Sequence, residues 1–271
     1  WVGLGVVLVY HRVLTHKAAQ LKKPLLYFLT LGGLPAGVPI QWVGNHRFHH
    51  GVSDQSKDLH SPVQYGFWRA LTGWYLEKPS TLLAVLYAFA GPVRLLFDAW
   101  WRPRSSKVHD LLAADIARDP FLRWVSRPLP YAMCMLLIFG MTFTVALGGW
   151  GFLGAVAMYA FYVFMYWGGD LINAAGHGKG AQHFRTKDHS RNPGWLAAIT
   201  LGDGLHNSHH AFPNSIRNDF CRHQWDGAYV MCRLFERVGW AEQLRVPTVA
   251  KIKTKVLVEQ ELKVQFRSAA P

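Results

Sequence analysis

The sequence predicts an all-α integral membrane protein, in which a helical membrane stem carries a cytosolic helical cap. Only 17% of its 271 residues are charged, whereas soluble domains carry about 25%. The apolar residues, 51% of the chain, concentrate in four stretches instead of spreading evenly. Histidines form groups beside these stretches and not inside them. We interpret the whole chain, 1–271, as one domain.

The chain is strongly basic, with a formal net charge of +13. In a soluble protein this excess would indicate nucleic-acid binding. Here the basic residues flank apolar segments, so we expect them to face anionic membrane lipid and not nucleic acid. The three cysteines form no C-x-x-C pair, and we expect them to be reduced and structural.

Neither of the first two apolar stretches is predicted to form a complete membrane span. Stretch 1–9 is shorter than the roughly 20 residues that a span needs, and we expect it to be the end of a span that begins before Trp1. Stretch 25–43 lies between histidine groups that must share one side of the membrane if they bind the same metals. Pro35 and Pro39 also break its helical pattern, so we interpret it as a re-entrant or interfacial segment.

The third stretch, 81–101, contains Pro92, Arg94 and Asp98. These residues are typical of an amphipathic helix that lies on the membrane surface. The alternative, in which this stretch and the previous one are true spans, stays open.

The fourth stretch, 129–169, is long enough for two spans. Its central sequence "LGGWG" predicts a tight turn between spans at 129–147 and 151–169. The turn is uncharged and both flanks are basic, so the positive-inside rule places the flanks in the cytoplasm. The rest of the chain divides into a cytosolic cap at 10–128 and 170–250 and a peripheral tail at 251–271.

Two motifs of the form H-x-x-H-H stand far apart in the chain. In a helix, positions i, i+3 and i+4 share a face, so each motif is expected to point three imidazoles the same way. "HRVLTH" adds two histidines five residues apart, about 140° around an α-helix, which we expect at a frayed helix end. "NAAGH" adds an asparagine and a histidine four apart. The candidate metal-site residues are His11, His16, His46, His49, His50, Asn173, His177, His206, His209 and His210.

This set of side chains predicts a metal centre. Neutral imidazole binds iron, zinc, copper and nickel, and nine histidines exceed the four ligands of a structural zinc site. Two metal ions with several ligands each are therefore expected. Nearby aspartates are candidates to accept hydrogen bonds from the ligating rings, with solvated loop acids as the alternative: Asp54, Asp58, Asp188 and Asp203. The isolated histidines are interpreted as ordinary surface or core residues: His60, His109, His183, His189 and His223.

The motifs together resemble the histidine boxes of membrane fatty acid desaturases. "HRVLTH", "HRFHH" and "HNSHH" match the three boxes, and "NAAGH" matches the additional Asn-x-x-x-His. The four-residue gap in the first box resembles the delta-9 acyl group of that family. The similarity extends from about residue 5 to 245.

The resemblance implies an enzyme that introduces a cis double bond into a saturated acyl chain with dioxygen and two electrons. It implies two iron ions (Fe²⁺) held by the nine histidines, with Asn173 contacting one iron through water. It also implies a four-helix membrane stem, with two spans before "HRVLTH", a tunnel for a kinked acyl chain and an active site on the cytoplasmic side. The implied partners are membrane lipid, a fatty acyl substrate on CoA, a carrier protein or a glycerolipid, and a separate electron donor such as ferredoxin, rubredoxin or a b-type cytochrome.

Two features depart from the family pattern. Residues 77–105 form a longer connection than usual. The sequence "WGGDL" stands before Asn173, where many acyl-CoA desaturases carry Thr-Trp in the tunnel. Because Gly169 and Asp170 stand there instead, no acyl-binding residue is carried over.

Two other functions stay open at this stage. A histidine-rich di-iron hydroxylase, acting on an alkane or a lipid, would use the same ligands. A metal transporter would place ligands inside its spans. The stretch 129–169 contains no histidine and no acidic residue, which argues against transport.

Overall fold

The computed structural model describes residues 1–76, 80–100 and 107–257, and these residues are mostly helical. The predicted all-α class is confirmed for this part of the chain. The helices are Leu4–Thr15, Lys23–Gly33, Leu34–Ala36, Pro39–Val52, Pro62–Tyr65, Phe67–Leu71, Gly73–Tyr75, Thr81–Phe89, Gly91–Val93, Arg94–Trp100, Lys107–Leu112, Ile116–Arg118, Pro120–Val125, Pro128–Gly176, Gly194–Ile199, His206–Ala211, Gly227–Arg237 and Val249–Lys253. Two short strands, Gln20–Leu21 and Ala241–Glu242, pair antiparallel.

The helix Pro128–Gly176 folds back on itself as a hairpin. Trp150 and Gly151 have non-helical torsion angles, with φ of −135° and +59°, and the second value suits glycine because it has no Cβ. Beyond this turn the two halves pack against each other. The Phe139 and Tyr162 rings lie 5.0 Å apart, and the hydroxyls of Thr142 and Tyr162 are 3.0 Å apart.

The outer surface of this hairpin is apolar. Within the described residues it is the one helix long and apolar enough to cross a membrane, and only 17% of its most apolar window is buried. Side chains such as Leu137, Val145 and Phe152 are 63–79% exposed. A soluble protein rarely exposes so large an apolar patch, and a lipid environment would cover it.

The segment that follows the first helix bends sharply. Lys23–Ala36 and Pro39–Val52 meet at an angle of 71° and reach the length and hydropathy of a span only as a bent pair. Gly37, with φ of +111°, and Pro39 lie at the bend. The re-entrant or interfacial placement of 25–43 stays a prediction.

The stretch 81–101 is divided by the short helical turn Gly91–Val93. Its first part packs against the hairpin, where Tyr159 Oη donates to the Ala90 carbonyl (2.9 Å) and Trp167 Nε1 donates to the Ala88 carbonyl (2.9 Å). Residue 101 of this stretch and residues 258–271 of the predicted tail lie outside the described residues.

Helix Leu4–Thr15 passes through the centre of the fold, and Leu8, Val9 and Tyr10 are fully buried. It is a π-helix, in which backbone hydrogen bonds join residues five apart. The His16 amide donates to the His11 carbonyl at 3.2 Å. His16 caps the end of this helix, as expected, but the end is not frayed, because this hydrogen-bonding pattern places residues five apart above each other.

Candidate metal centre

The predicted histidines gather at the end of the hairpin in two groups of facing ring nitrogens. The five-histidine group contains His11, His16, His46, His50 and His209. The four-histidine group contains His49, His177, His206 and His210. Within each group, the nitrogen atoms that could serve as ligands lie within 4.8 Å of one another.

Each H-x-x-H-H motif serves both groups. In helix Pro39–Val52, His46 and His50 join the five-histidine group while His49 joins the four-histidine group. The short helix His206–Ala211 has the reverse assignment, with only its middle histidine, His209, in the five-histidine group. The prediction that each motif points three rings one way is therefore too simple: the i, i+4 pair and the i+3 residue diverge toward different groups.

The closest approaches in both groups are between Nε2 atoms. The Nε2 of His209 lies 2.9 Å from that of His11 and 2.9 Å from that of His50. The Nε2 atoms of His177 and His206 are 3.0 Å apart. Ring nitrogens bind zinc at about 2.0–2.1 Å, so two of them at right angles around one ion lie about 3.0 Å apart. The observed spacing therefore fits a shared cation.

Aspartates fix the orientation of four rings. Each aspartate accepts a hydrogen bond from an Nδ1, in the pairs His11–Asp203 (2.6 Å), His49–Asp58 (3.0 Å), His177–Asp54 (2.8 Å) and His210–Asp188 (2.7 Å). An ionised carboxylate can only accept, so Nδ1 carries the proton and Nε2 presents a lone pair. All four aspartates that the sequence analysis names as candidates are found beside a histidine ring.

The pKa values of these aspartates are lowered. Burial by itself raises the pKa of Asp54, but the hydrogen bond and charge interaction with His177 outweigh it and lower the pKa to about 2. The pKa values of Asp58, Asp188 and Asp203 are lowered as well, against the effect of burial. The carboxylates are therefore ionised at neutral pH and supply negative charge around the two groups.

Six of the nine rings are held neutral. Burial, supported by neighbouring imidazoles, lowers the pKa well below 6.5 for His16, His46, His50, His206, His209 and His210. The Nε2 atoms of His16, His49 and His210 are buried and have no hydrogen-bond partner among the described residues. Buried polar atoms without partners are unfavourable, and several lone pairs facing one point repel each other. A bound metal ion in each group would remove both penalties, so the residues present fit two metals.

Two arginines that the sequence analysis did not single out hold the first histidine motif in place. Arg12 is fully buried and forms ion pairs with Asp203 (2.9 Å) and Asp226 (2.7 Å). Arg47 donates to the carbonyls of Leu14 and Thr15, at 2.7 and 3.1 Å. Both arginines lie inside the histidine motifs, directly beside candidate ligands, and this position is the signal that could have identified them.

Asn173 and His60 adjoin the four-histidine group. Asn173 Oδ1 is buried without a hydrogen-bond partner among the described residues, and its Nδ2 lies 3.1 Å from His60 Nδ1. His60 stacks on His49 with ring centroids 5.0 Å apart and contacts Trp74 at 3.7 Å. The interpretation of His60 as an ordinary residue misses this contact, although its place two residues after Asp58 is a usable signal.

A cavity of about 130 Å³ connects the metal centre to the hairpin. His11, His46 and Asn173 lie in its wall near the metal centre, and Val6 and Tyr162 lie in more apolar parts. Trp42, which also lines the cavity, stacks on His46 with ring centroids 5.0 Å apart. The cavity is therefore largely apolar, with His11 and His46 of the five-histidine group in part of its wall.

Comparison with known sequences agrees with this geometry. A family model described as fatty acid desaturase matches residues 1–220. A probable chloroplastic lipid desaturase of Arabidopsis thaliana is 33% identical over 259 residues, covering 94% of this chain and 64% of the relative. An icosanoyl-CoA 5-desaturase of Limnanthes douglasii is 32% identical, covering 93% of this chain and 65% of the relative. A delta-9 acyl-lipid desaturase of Arabidopsis thaliana is 32% identical, covering 94% and 75%. The chain thus spans just under two thirds of the length of the first two relatives.

Proposed function

The chain belongs to the fatty acid desaturase family, and on this premise we propose that it introduces a cis double bond into a saturated fatty acyl chain. We assign the bond to the delta-9 position, and dioxygen and two electrons as the co-reactants. The observation that carries the proposal is the pair of histidine groups with converging ring nitrogens, together with a largely apolar cavity that His11 and His46 line.

Two iron ions are the metals that we propose for the two groups. His11, His16, His46, His50 and His209 would hold one ion, and His49, His177, His206 and His210 the other. Asn173 would reach the second group through a water molecule. When bound, iron supplies the power to remove hydrogen from an unactivated methylene, which no side chain can do.

The protein contributes position and exclusion of water. Nδ1–H bonds to Asp54, Asp58, Asp188 and Asp203 keep four rings in the orientation that presents Nε2, as outer partners of ligating histidines generally do. The apolar cavity holds the acyl chain against the histidine groups and fixes which methylene is nearest. Its walls keep bulk water from the reacting carbons.

We propose the acyl carrier only as a class: this protein acts on an acyl group that is attached to CoA or to a glycerolipid. The related proteins include an icosanoyl-CoA 5-desaturase and a delta-9 acyl-lipid desaturase, so relatives of both kinds support the substrate class. The four-residue gap between His11 and His16 supports the delta-9 assignment.

The electron donor is proposed to be a separate protein: a ferredoxin, a rubredoxin or a b-type cytochrome. The net charge of +13 would favour an acidic carrier, since complementary charge speeds association. We propose that the hairpin 128–176 spans the membrane and returns, so that the metal centre faces the cytoplasm. The exposed apolar side chains of the hairpin support this placement.

The test is expression of the full-length protein in a host that lacks delta-9 unsaturated lipids, followed by gas chromatography–mass spectrometry of its fatty acids. We expect a new monounsaturated product that depends on dioxygen and on His209. Derivatisation of the double bond gives its position, and a bond elsewhere would overturn the delta-9 assignment alone. Hydroxylated product without any alkene would overturn the desaturase in favour of a hydroxylase.

A further inference from the structure

The two departures from the family pattern contact each other. Arg94 belongs to the long connection 77–105, and Asp170 belongs to the sequence "WGGDL". Arg94 Nη2 donates to Asp170 Oδ2 at 2.8 Å, and both side chains are 5% exposed. Two unusual features far apart in the chain thus form one buried ion pair.

Aromatic residues and carbonyls hold this pair in place. The Arg94 guanidinium lies over the rings of Tyr87 and Tyr166, at 4.6 and 4.2 Å. Its Nε donates to the Tyr87 carbonyl at 3.0 Å, and Tyr75 Oη donates to Asp170 Oδ1 at 3.1 Å. Among the described residues, the hydrogen bonds of Arg94 use Nε and Nη2, so the N–H donors of Nη1 stay available.

The ion pair lies in the wall of the cavity and close to the metal centre. Arg94, Asp170 and Tyr75 line the same cavity as His46 and Asn173. Asp170 precedes Asn173 by three residues on one helix, so the two side chains share a face and are separated by about 4.5 Å along the axis. A substrate that occupies the cavity beside Asn173 therefore lies next to this pair.

Contact with this charged pair is unfavourable for a plain hydrocarbon chain. Buried charges are stable only when their hydrogen-bonding capacity is met, and a methylene chain offers no acceptor to an N–H donor. A structural tether between residues 81–98 and the hairpin would not need to face the cavity. An oxygen atom on the ligand would meet the remaining donor of Arg94.

We propose that Arg94 and Asp170, with Tyr75, form a polar subsite that binds a hydrogen-bond acceptor oxygen of the substrate, either the carbonyl of its ester or thioester or a hydroxyl on its chain. This inference rests on the proposed function, because it takes the cavity as the acyl site. The subsite makes this cavity selective for an oxygen-bearing acyl compound over a hydrocarbon of equal length. It also fixes the distance between that oxygen and the methylene beside the metals.

The test measures binding to the full-length, metal-containing protein without a reductant, so that no turnover occurs. Three probes of similar length displace a fluorescent fatty acid analogue: nonadecane, methyl octadecanoate and a nonadecanol with a mid-chain hydroxyl. We expect at least one oxygen-bearing probe to bind roughly tenfold or more tightly than nonadecane, as a charge-assisted hydrogen bond provides. Preference for the ester indicates the carbonyl as the source of the oxygen, and preference for the alcohol indicates a chain hydroxyl.

The matched variants are Arg94→Met with Asp170→Leu, and Arg217→Met with Asp219→Leu. The second pair is also buried, with a 2.7 Å ion pair, but is not among the residues that line the cavity. The variant with Arg94→Met and Asp170→Leu should bind nonadecane as tightly as the unmodified protein does and lose the preference for an oxygen-bearing probe. The variant with Arg217→Met and Asp219→Leu should keep that preference. Equal binding of all three probes by the unmodified protein overturns the subsite even if a variant fails to fold. Preference for an oxygen-bearing probe in this assay, with no alkene product in the expression test of the proposed function, would retain the subsite and overturn the proposed function, so the two failures are distinguishable.

Discussion

Single residues determine which ring nitrogen each histidine can present to a metal ion. An imidazole can bind a metal through either nitrogen, and the tautomer follows from the partner of the other one. In His11, His49, His177 and His210 that partner is an aspartate on Nδ1. The aspartates therefore determine the direction of the lone pairs as well as supplying charge, which leads to the first prediction.

Replacing Asp58 with asparagine should weaken metal binding in the four-histidine group. Asparagine can still accept a hydrogen bond from His49, but it lacks the negative charge and can also present its amide the wrong way round. Loss of such an outer partner typically lowers metal affinity about 10–100-fold. Competition with a chelator, followed by metal analysis, measures the change. Asp219→Asn, in a buried ion pair with Arg217 and outside both histidine groups, is the control, and equal losses in both variants would contradict this role of Asp58.

Replacing His209 with alanine should remove one metal and leave the other. His209 Nε2 contacts both His11 and His50, so its loss opens the centre of the five-histidine group. We expect the metal content to fall from two ions toward one per chain, with no double bond formed. His223→Ala, at an exposed position, should keep both ions. Retention of both ions and of activity in His209→Ala would contradict the ligand assignment.

The lowered histidine pKa values predict how the metal-free protein responds to acid. In the unfolded chain these imidazoles bind protons below about pH 6.5, while the folded state, with lower pKa values, keeps them neutral. The unfolded state then binds more protons, so stability falls as pH falls below about 6.5. Thermal unfolding between pH 8 and 5 measures the slope. His46→Gln with His50→Gln should make it shallower, and a slope of opposite sign would exclude this account.

At the scale of elements, close helix packing positions the first histidine motif. A Cβ on Gly5 would overlap the backbone of Gly33 and approach the Leu29 carbonyl to 2.5 Å. Gly5→Ala should therefore push helix Leu4–Thr15 away from Lys23–Gly33, at a cost of about 1–3 kcal/mol, as overpacking generally does. A lower unfolding temperature and weaker metal binding should both be measured. Gly140→Ala is the control because its Cβ would meet no atom within 4 Å, and equal effects of the two variants would contradict the packing argument.

Helical periodicity accounts for most of what the sequence predicts about the site. The i, i+3, i+4 spacing brings His46, His49 and His50 onto one broad face, and the same rule applies to the second motif. Periodicity does not predict that the i+3 ring joins a different histidine group, because the grouping depends on where the neighbouring helices lie. Nor does it reveal the π-helix that aligns His11 with His16, since five-residue spacing suits no ordinary α-helix.

Contacts between distant segments were the least predictable part of the site. His60 looks isolated in the sequence, and its place beside His49 and Asn173 depends on how the loop after Val52 folds back. Arg94 and Asp170 each look like a departure from the family pattern, and only the fold joins them. Composition and pattern predicted the helical class and the identity of the histidines, while tertiary packing determined their partners.

At the scale of the whole molecule, the membrane placement makes a direct prediction about the two ends of the hairpin. The turn at Trp150 is exposed and uncharged, while Lys179 lies just beyond the opposite end of the hairpin, two residues after His177. If the hairpin crosses the bilayer and returns, these residues lie on opposite sides, with the basic flank in the cytoplasm. Trp150→Cys and Lys179→Cys, made in a chain with its three cysteines replaced by serine, report the two sides.

A membrane-impermeant maleimide applied to intact spheroplasts should label the cysteine at 150 and not the one at 179. In inside-out vesicles the labelling should be reversed, because the cytoplasmic face is then outside. Labelling both sites after detergent treatment confirms that each cysteine is reactive. If both are labelled from the same side of sealed membranes, the hairpin does not cross, and its apolar surface would have to be covered by lipid or protein in another way.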